Sequence, residues 1–248
     1  MDAEAYDRWY ETPYGRWAGQ REVALLLEEL APRPGETVLD VGCGTGFFTR
    51  ALAAATGGPV TGVDLDTDWL AYARRRSAAG VAYEAADARS LPYGPASFDL
   101  VVSITALCFI EEERAAVGEL LRVARRRVAI GLLNRRSLLW LQKGRRGGRN
   151  GYRGARWHTV REAAGLLAGL HAGRTRVRTA LHLPGGGRLA RAMERLSPRW
   201  LHTGAFILLV ADVPGAAAAS SGGDEQGTAP RAVPGVKRGH GPRPAAFR

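Results

Sequence analysis

With 248 residues the chain is long enough for one large domain with a sizeable core. Hydrophobic residues make up 46% and aromatic residues 8%, which excludes a mainly disordered chain. The net charge of +11 rests almost wholly on arginine, Lys143 and Lys237 being the only lysines. With so much alanine and glycine alongside, that bias reads as GC-rich coding as much as a taste for anionic partners.

The start, Met1-Asp2-Ala3-Glu4, is acidic and lacks the apolar core of a secretory signal. The apolar runs 100–110 and 205–211 are too short to span a bilayer. Cys43 and Cys108 sit far apart in apolar settings and read as packed thiols. A cytoplasmic location, no transmembrane segment and no metal site are expected.

Residues 3–30 read as helical, with Val23, Leu26, Leu27 and Leu30 at helical spacing and Pro32-Arg33-Pro34-Gly35 ending the run. Tyr6, Trp9, Tyr10, Tyr14 and Trp17 crowd this segment, either as a lid or as the packing of a short amphipathic helix. Strands and helices then alternate: strand 38–42, helix 46–56, strand 59–64, helix 67–79, strands 81–86 and 98–104, helix 111–124 and strand 126–133. Helix 111–124 opens with three glutamates and ends with arginines, as the helix dipole favours. Val117, Leu120, Leu121 and Ala124 form its inward stripe. Residues 134–158 are rich in Arg and Gly, with Trp140, Tyr152 and Trp157 interleaved, and suggest a mobile or lid-like insertion. A helix over 159–170 and two strands over 174–181 and 204–212 follow, the strands a hairpin-like pair. The fold class is α/β: a Rossmann-like, doubly wound, seven-stranded, mostly parallel sheet with helices on both faces. The expected organisation is a helical lid over 1–35, the main domain over 36–213 and a basic, disordered tail over 214–248.

Val38-Leu39-Asp40-Val41-Gly42-Cys43-Gly44-Thr45-Gly46-Phe47-Phe48 carries the most information. A buried strand ends in a glycine turn and opens into a helix. Glycine permits positive φ and lets a ligand approach bare backbone. Dinucleotide sites show G-x-G-x-x-G with a pyrophosphate at the helix N-terminus. Here the third glycine comes one residue early and Phe47 takes its place, which argues against a pyrophosphate and against a nicotinamide reductase. Asp64 closes the strand 59–64, 24 residues after Asp40, near the ~20-residue spacing of a ribose-binding acid. A carboxylate there can accept from both hydroxyls of a ribose. The competing role, capping the next helix, falls more naturally to Asp66 or Thr67.

The G-x-G-x-G turn resembles motif I of the class I S-adenosylmethionine (SAM) methyltransferases. Asp87-Ala88, Leu91-Pro92 and Ser97-Phe98-Asp99-Leu100-Val101 resemble the type-11 group, which includes the ubiquinone and menaquinone biosynthesis C-methyltransferases. The likeness is clear over 36–133 and looser at Tyr6-Asp7-Arg8-Trp9. It implies SAM as cofactor, with Gly42, Cys43, Gly44 and Gly46 along the methionine part and Asp40 steadying the turn. It also implies Leu65 against the adenine face, Asp87 accepting from the adenine amino group and the Ala88 N–H meeting a ring nitrogen. The chain departs from the group at Arg125-Arg126-Arg127, where Pro-Gly-Gly is common, and that should alter the turn before the fifth strand.

Methyl transfer from a sulfonium is an in-line displacement, so alignment and a dry site do most of the work. Tyr6 and Trp9 can face the sulfonium by cation–π contact, and Arg16 can pair with the cofactor carboxylate. His158 is the candidate general base and Ser103 a strand-end contact; both have structural alternatives. The chain lacks the Asn/Asp-Pro-Pro-Tyr/Phe signature of amino-group nucleic-acid methylation after strand 98–104, and lacks a Pro-Cys pair. A small-molecule acceptor is therefore favoured. The alternatives are RNA methylation through the Arg-rich 134–156 segment and a non-catalytic SAM-binding protein.

Overall fold

The computed structural model describes residues 2–77, 80–148 and 150–214. The expected tail therefore lies outside the described residues, apart from Pro214. The N-terminal run breaks into two helices, α1 (Ala3–Trp9) and α2 (Pro13–Leu30), where a single span over 3–30 was expected. The break has a local cause. The Thr12 hydroxyl caps α2 by accepting from the Gly15 N–H, and Pro13 takes the first helical position, where its missing N–H costs nothing.

Alternation then follows as β1 (Val38–Val41), α3 (Phe47–Thr56), β2 (Val60–Asp64), α4 (Thr67–Arg76), β3 (Val81–Ala85), β4 (Phe98–Ile104), α5 (Glu113–Val123), β5 (Ala124–Leu133), α6 (Val160–Gly165), β6 (Thr175–Ala180), α7 (Arg188–Leu196) and β7 (Phe206–Asp212). The strands form one seven-stranded sheet in the order β3-β2-β1-β4-β5-β7-β6. β1 to β5 run parallel, and β7 lies antiparallel to both β5 and β6. The doubly wound fold and the pairing of the last two strands are as expected.

Alternate side chains of each strand feed two cores. Leu39, Val41, Val63, Val101 and Ile130 pack on one face with Val117 and Leu120 of α5. Val38, Val60, Leu100 and Val102 pack on the other with Leu25 and Leu26 of α2 and Leu52 of α3. Strands buried on both faces are what a parallel sheet between helix layers requires.

Several boundaries depart from expectation. α4 stops at Arg76, with Ser77 extended, rather than reaching 79. α5 starts at Glu113, so only that glutamate lies in its first turn. β5 begins at Ala124 directly from α5. Arg125 thus joins Arg126 and Arg127 in the strand, and the three are held by Asp99, Glu36 and Asp212. α6 covers only Val160–Gly165, stopped by successive tight turns through Leu170. The stretch 183–203 holds α7, which alternation alone did not reveal.

Residues 134–158 are anchored at both ends. The Arg135 N–H donates to the His158 carbonyl, the His158 N–H to that of Leu133, and the Arg156 N–H to that of Cys108. Between them lie a π-helical turn at Trp140–Gly144 and short 3-10 turns.

Inside this anchor Glu113 meets His158 Nε2 and Arg156 Nη1, each at 2.9 Å. Burial pushes the Glu113 carboxyl up, but the close contact of the His158 ring and the hydrogen bond and charge of Arg156 outweigh it and hold the pKa below its ordinary value. A depressed carboxylate stabilises the fold above its unfolded pKa and loses that contribution as pH falls through the folded one. Glu113→Gln should therefore lower the unfolding free energy at neutral pH by about 1–3 kcal/mol. Urea titrations should show that deficit shrinking as pH drops below the ordinary carboxylate range; a deficit independent of pH would refute the ion-pair assignment.

Candidate cofactor and acceptor site

The sheet order reverses between β1 and β4, and ligands of open α/β sheets bind outside the carboxyl ends of strands at such a point. The glycine turn occupies it. Gly42, Gly44 and Gly46 have φ of 73°, 53° and 77°, a region that β-carbon sterics close to most residues. A Cβ on Gly42 would strike Ala106 after β4, and one on Gly46 the Tyr83 hydroxyl. The Trp69 indole lies over the bare backbone of Gly44.

Hydrogen bonds fix the turn to β2. The Gly42 and Cys43 N–H groups both donate to the Val63 carbonyl, at 2.7 and 3.0 Å. The Gly44 N–H donates to Asp64 Oδ2 at 2.9 Å, and Asp64 Oδ1 accepts from the Asp66 N–H at 3.0 Å. Asp66, not Asp64, caps α4, accepting from the Asp68 and Trp69 N–H groups. Asp64 thus keeps lone pairs free at the carboxyl end of β2. Behind the turn, buried Asp40 accepts from the Thr49 hydroxyl at 2.6 Å. Burial pushes its carboxyl up to about 7, with the Thr49 hydrogen bond opposing.

Leu65, next to Asp64, is 66% exposed, an apolar side chain left open at the strand ends. Ala88 is buried. Asp87 is not free: Arg89 holds it through Nε at 3.0 and 3.2 Å and Nη2 at 2.7 Å. Those hydrogen bonds hold its carboxyl below the usual range, so an adenine amino group would share it with Arg89.

The aromatic N-terminus joins this edge. Tyr10 stacks on Phe47 at 3.7 Å, directly after Gly46, and Tyr6 packs on Trp69 at 5.0 Å. Trp9 packs edge-on against Tyr10 and Tyr14. Buried Asp7 tethers α1 to the body through Arg50 of α3 at 3.4 Å and Arg76 of α4 at 3.3 Å. Sequence reading passed over Asp7, Trp69 and Tyr83, whose roles depend on contacts between elements.

Three expected residues stand apart. Arg16 is exposed and donates to the Glu11 carbonyl at 3.2 Å. The Ser103 hydroxyl is fully buried without a hydrogen-bond partner among the described residues. His158 and Glu113 are each 5% exposed at their side chains, so the imidazole faces a carboxylate within the wall. A base must reach the acceptor's proton, and this pair is closed to solvent. A cavity of about 450 Å³ lined by Arg21, Arg178, Arg191, Arg195 and Arg199 shares no residue with the glycine turn.

A methyltransferase-domain family model matches residues 38–127, from β1 to the start of β5. The malonyl-[acyl-carrier protein] O-methyltransferase of Erwinia pyrifoliae is 34% identical over 196 residues, covering 76% of this chain and 71% of that enzyme. An O-methyltransferase of Penicillium expansum is 37% identical over 110 residues, 42% of this chain and 39% of that one. Among solved structures, a SAM-dependent methyltransferase of Thermotoga maritima superposes with a TM-score of 0.67 at 23% identity, covering 84% of this chain and 94% of that one. The chain belongs to the SAM-dependent methyltransferases, and SAM is its cofactor. The residues fit that group: bare backbone at Gly42 and Gly44, a carboxylate with spare lone pairs at Asp64 and an open apolar face at Leu65.

Asp64→Ala should weaken SAM and S-adenosylhomocysteine binding about 30-fold or more, roughly 2 kcal/mol for a lost charged acceptor. Isothermal calorimetry reads this directly, and equal affinity in the variant would remove Asp64 from the site.

Proposed function

We propose that the protein transfers the methyl group of SAM to a small-molecule acceptor held between the aromatic N-terminus and the carboxyl ends of β1, β2 and β4. The observation that carries this is the glycine turn, three glycines at positive φ joined to Asp64 through the Gly44 N–H. On this reading the Asp64 carboxylate takes the ribose hydroxyls, Gly42 to Gly46 admit the methionine part, and Leu65 covers the adenine. Asp87, shared with Arg89, and the Ala88 N–H meet the adenine edge. Bound SAM supplies a methyl group activated by its sulfonium leaving group. Tyr6, Tyr10 and Trp9 line the approach, exclude water and offer ring faces to the cationic centre. The resemblance to the quinone-biosynthesis C-methyltransferases rests on loop and strand residues away from the aromatic wall, and the acceptor is better argued from the wall itself.

RNA methylation is the second reading. Arg135 and Arg156 are paired with Glu162 and Glu113, whereas Lys143, Arg145, Arg146 and Arg153 carry no acidic partner among the described residues. Incubation with methyl-labelled SAM and a metabolite extract should place the label in the small-molecule fraction. Label in RNA instead, with binding that weakens steeply as salt rises, would replace this proposal with the RNA reading.

A further inference from the structure

The buried face of α2 runs through Gly15, Ala18, Gly19, Leu25, Leu26 and Leu30. Glu22 falls on that face, one turn from Gly19 and one turn from Leu25. A charged residue at such a position ordinarily has a partner. Glu22 has no hydrogen bond and no ion pair with any described residue, and the residue as a whole is half-buried. Burial alone pushes that carboxyl up to about 8.

The groups that face it are tyrosines. Tyr6 and Tyr10, Tyr14 at the start of α2, and Tyr152 from the 134–158 segment have hydroxyl pKa values raised by burial and further by the charge of Glu22. Among the described residues no cation acts on Glu22. The same rings lead to the cofactor edge: Tyr10 through Phe47 to Gly46, and Tyr6 through Trp69 to Gly44. A Cβ on Gly19 would strike the Tyr10 and Phe47 rings, so α2 and the wall approach closely one turn from Glu22.

We propose that Glu22 is the general base of the methyl transfer, and that the acceptor is a planar aromatic hydroxyl compound seated among Tyr6, Tyr10, Tyr14 and Tyr152. This rests on the reading that the glycine turn holds SAM. The acceptor's O–H proton passes to a carboxylate oxygen of Glu22. The oxygen lone pair forms the O–CH3 bond as the S–CH3 bond of SAM breaks, its electron pair staying on sulfur. The products are the aryl methyl ether, S-adenosylhomocysteine and protonated Glu22, which returns its proton to solvent. Aromatic walls favour a ring that can stack or meet them edge-on. A carboxylate acceptor has no proton to give and would meet a like charge.

The test uses the full chain and two probes. With S-adenosylhomocysteine bound and the pH above about 8, where Glu22 is ionised, 4-nitrophenol should bind the wild type with uptake of one proton, read by calorimetry in buffers of different ionisation enthalpy. Glu22→Gln should bind it without that uptake. With labelled SAM and catechol, Glu22→Gln should lower kcat by about 100-fold or more while leaving the SAM Kd within about twofold. Wild-type kcat should rise with pH and level off above about 8, a limb the variant lacks. A base works when deprotonated, hence the rise. An unchanged kcat in Glu22→Gln, or no 4-nitrophenol binding to the wild type, overturns the proposal while leaving SAM binding intact. Failure of the wild type to bind SAM overturns the cofactor reading itself, and this proposal with it.

Discussion

The candidate site depends on how the end of β1 is tied to the end of β2. Two successive N–H groups, of Gly42 and Cys43, converge on the Val63 carbonyl, and a third, of Gly44, reaches the Asp64 carboxylate. A chain turning this tightly needs positive φ at alternate residues, and glycine supplies it without steric cost. Buried donors left without acceptors would cost about 1–3 kcal/mol each, so turn and carboxylate hold one another in place. On the proposed reading the same carboxylate that fixes the turn also takes the ribose hydroxyls, so that scaffold and binding group are one feature.

Electrostatics around this edge divides by depth. Arginines here are largely spent on structure: exposed Arg125 and half-buried Arg126 and Arg127 lock the start of β5, and Arg50 and Arg76 hold Asp7. The deep carboxyls behave differently. Asp40 answers to Thr49, whereas Glu22 answers to nothing but tyrosine rings and solvent. A charge of +11 thus says little about the ligand, while one unpartnered carboxyl says a good deal.

The sheet was legible because its signals are local. Runs buried on both faces and turn residues mark the strands and their parallel alternation with helices, and of the two caps the sequence offered for α4, Asp66 and Thr67, it is Asp66 that serves. What escaped depended on tertiary contact. The break at Thr12 is a local cap that a continuous helical periodicity masks. The fifth strand starts two residues before the expected 126, at Ala124, where Arg125, Arg126 and Arg127 pair with Asp99, Glu36 and Asp212, partners that lie far away in sequence. α7 carries Leu189, Met193 and Leu196 at helical spacing, a signal present in the sequence, but in the fold that stripe faces solvent rather than the sheet. His158 looked like a base from its neighbours in sequence, but its side chain turns to Glu113. Glu22 drew no notice because its significance lies in which rings surround it.

The most direct test of the central claim is a crystal structure with S-adenosylhomocysteine bound. The account predicts the ligand across Gly42 to Gly46, with its ribose diol within hydrogen-bond reach of Asp64 and its sulfur toward the tyrosine wall. A ligand seated elsewhere, for example in the arginine-lined cavity beside α7, or a ribose held by another residue, would contradict it.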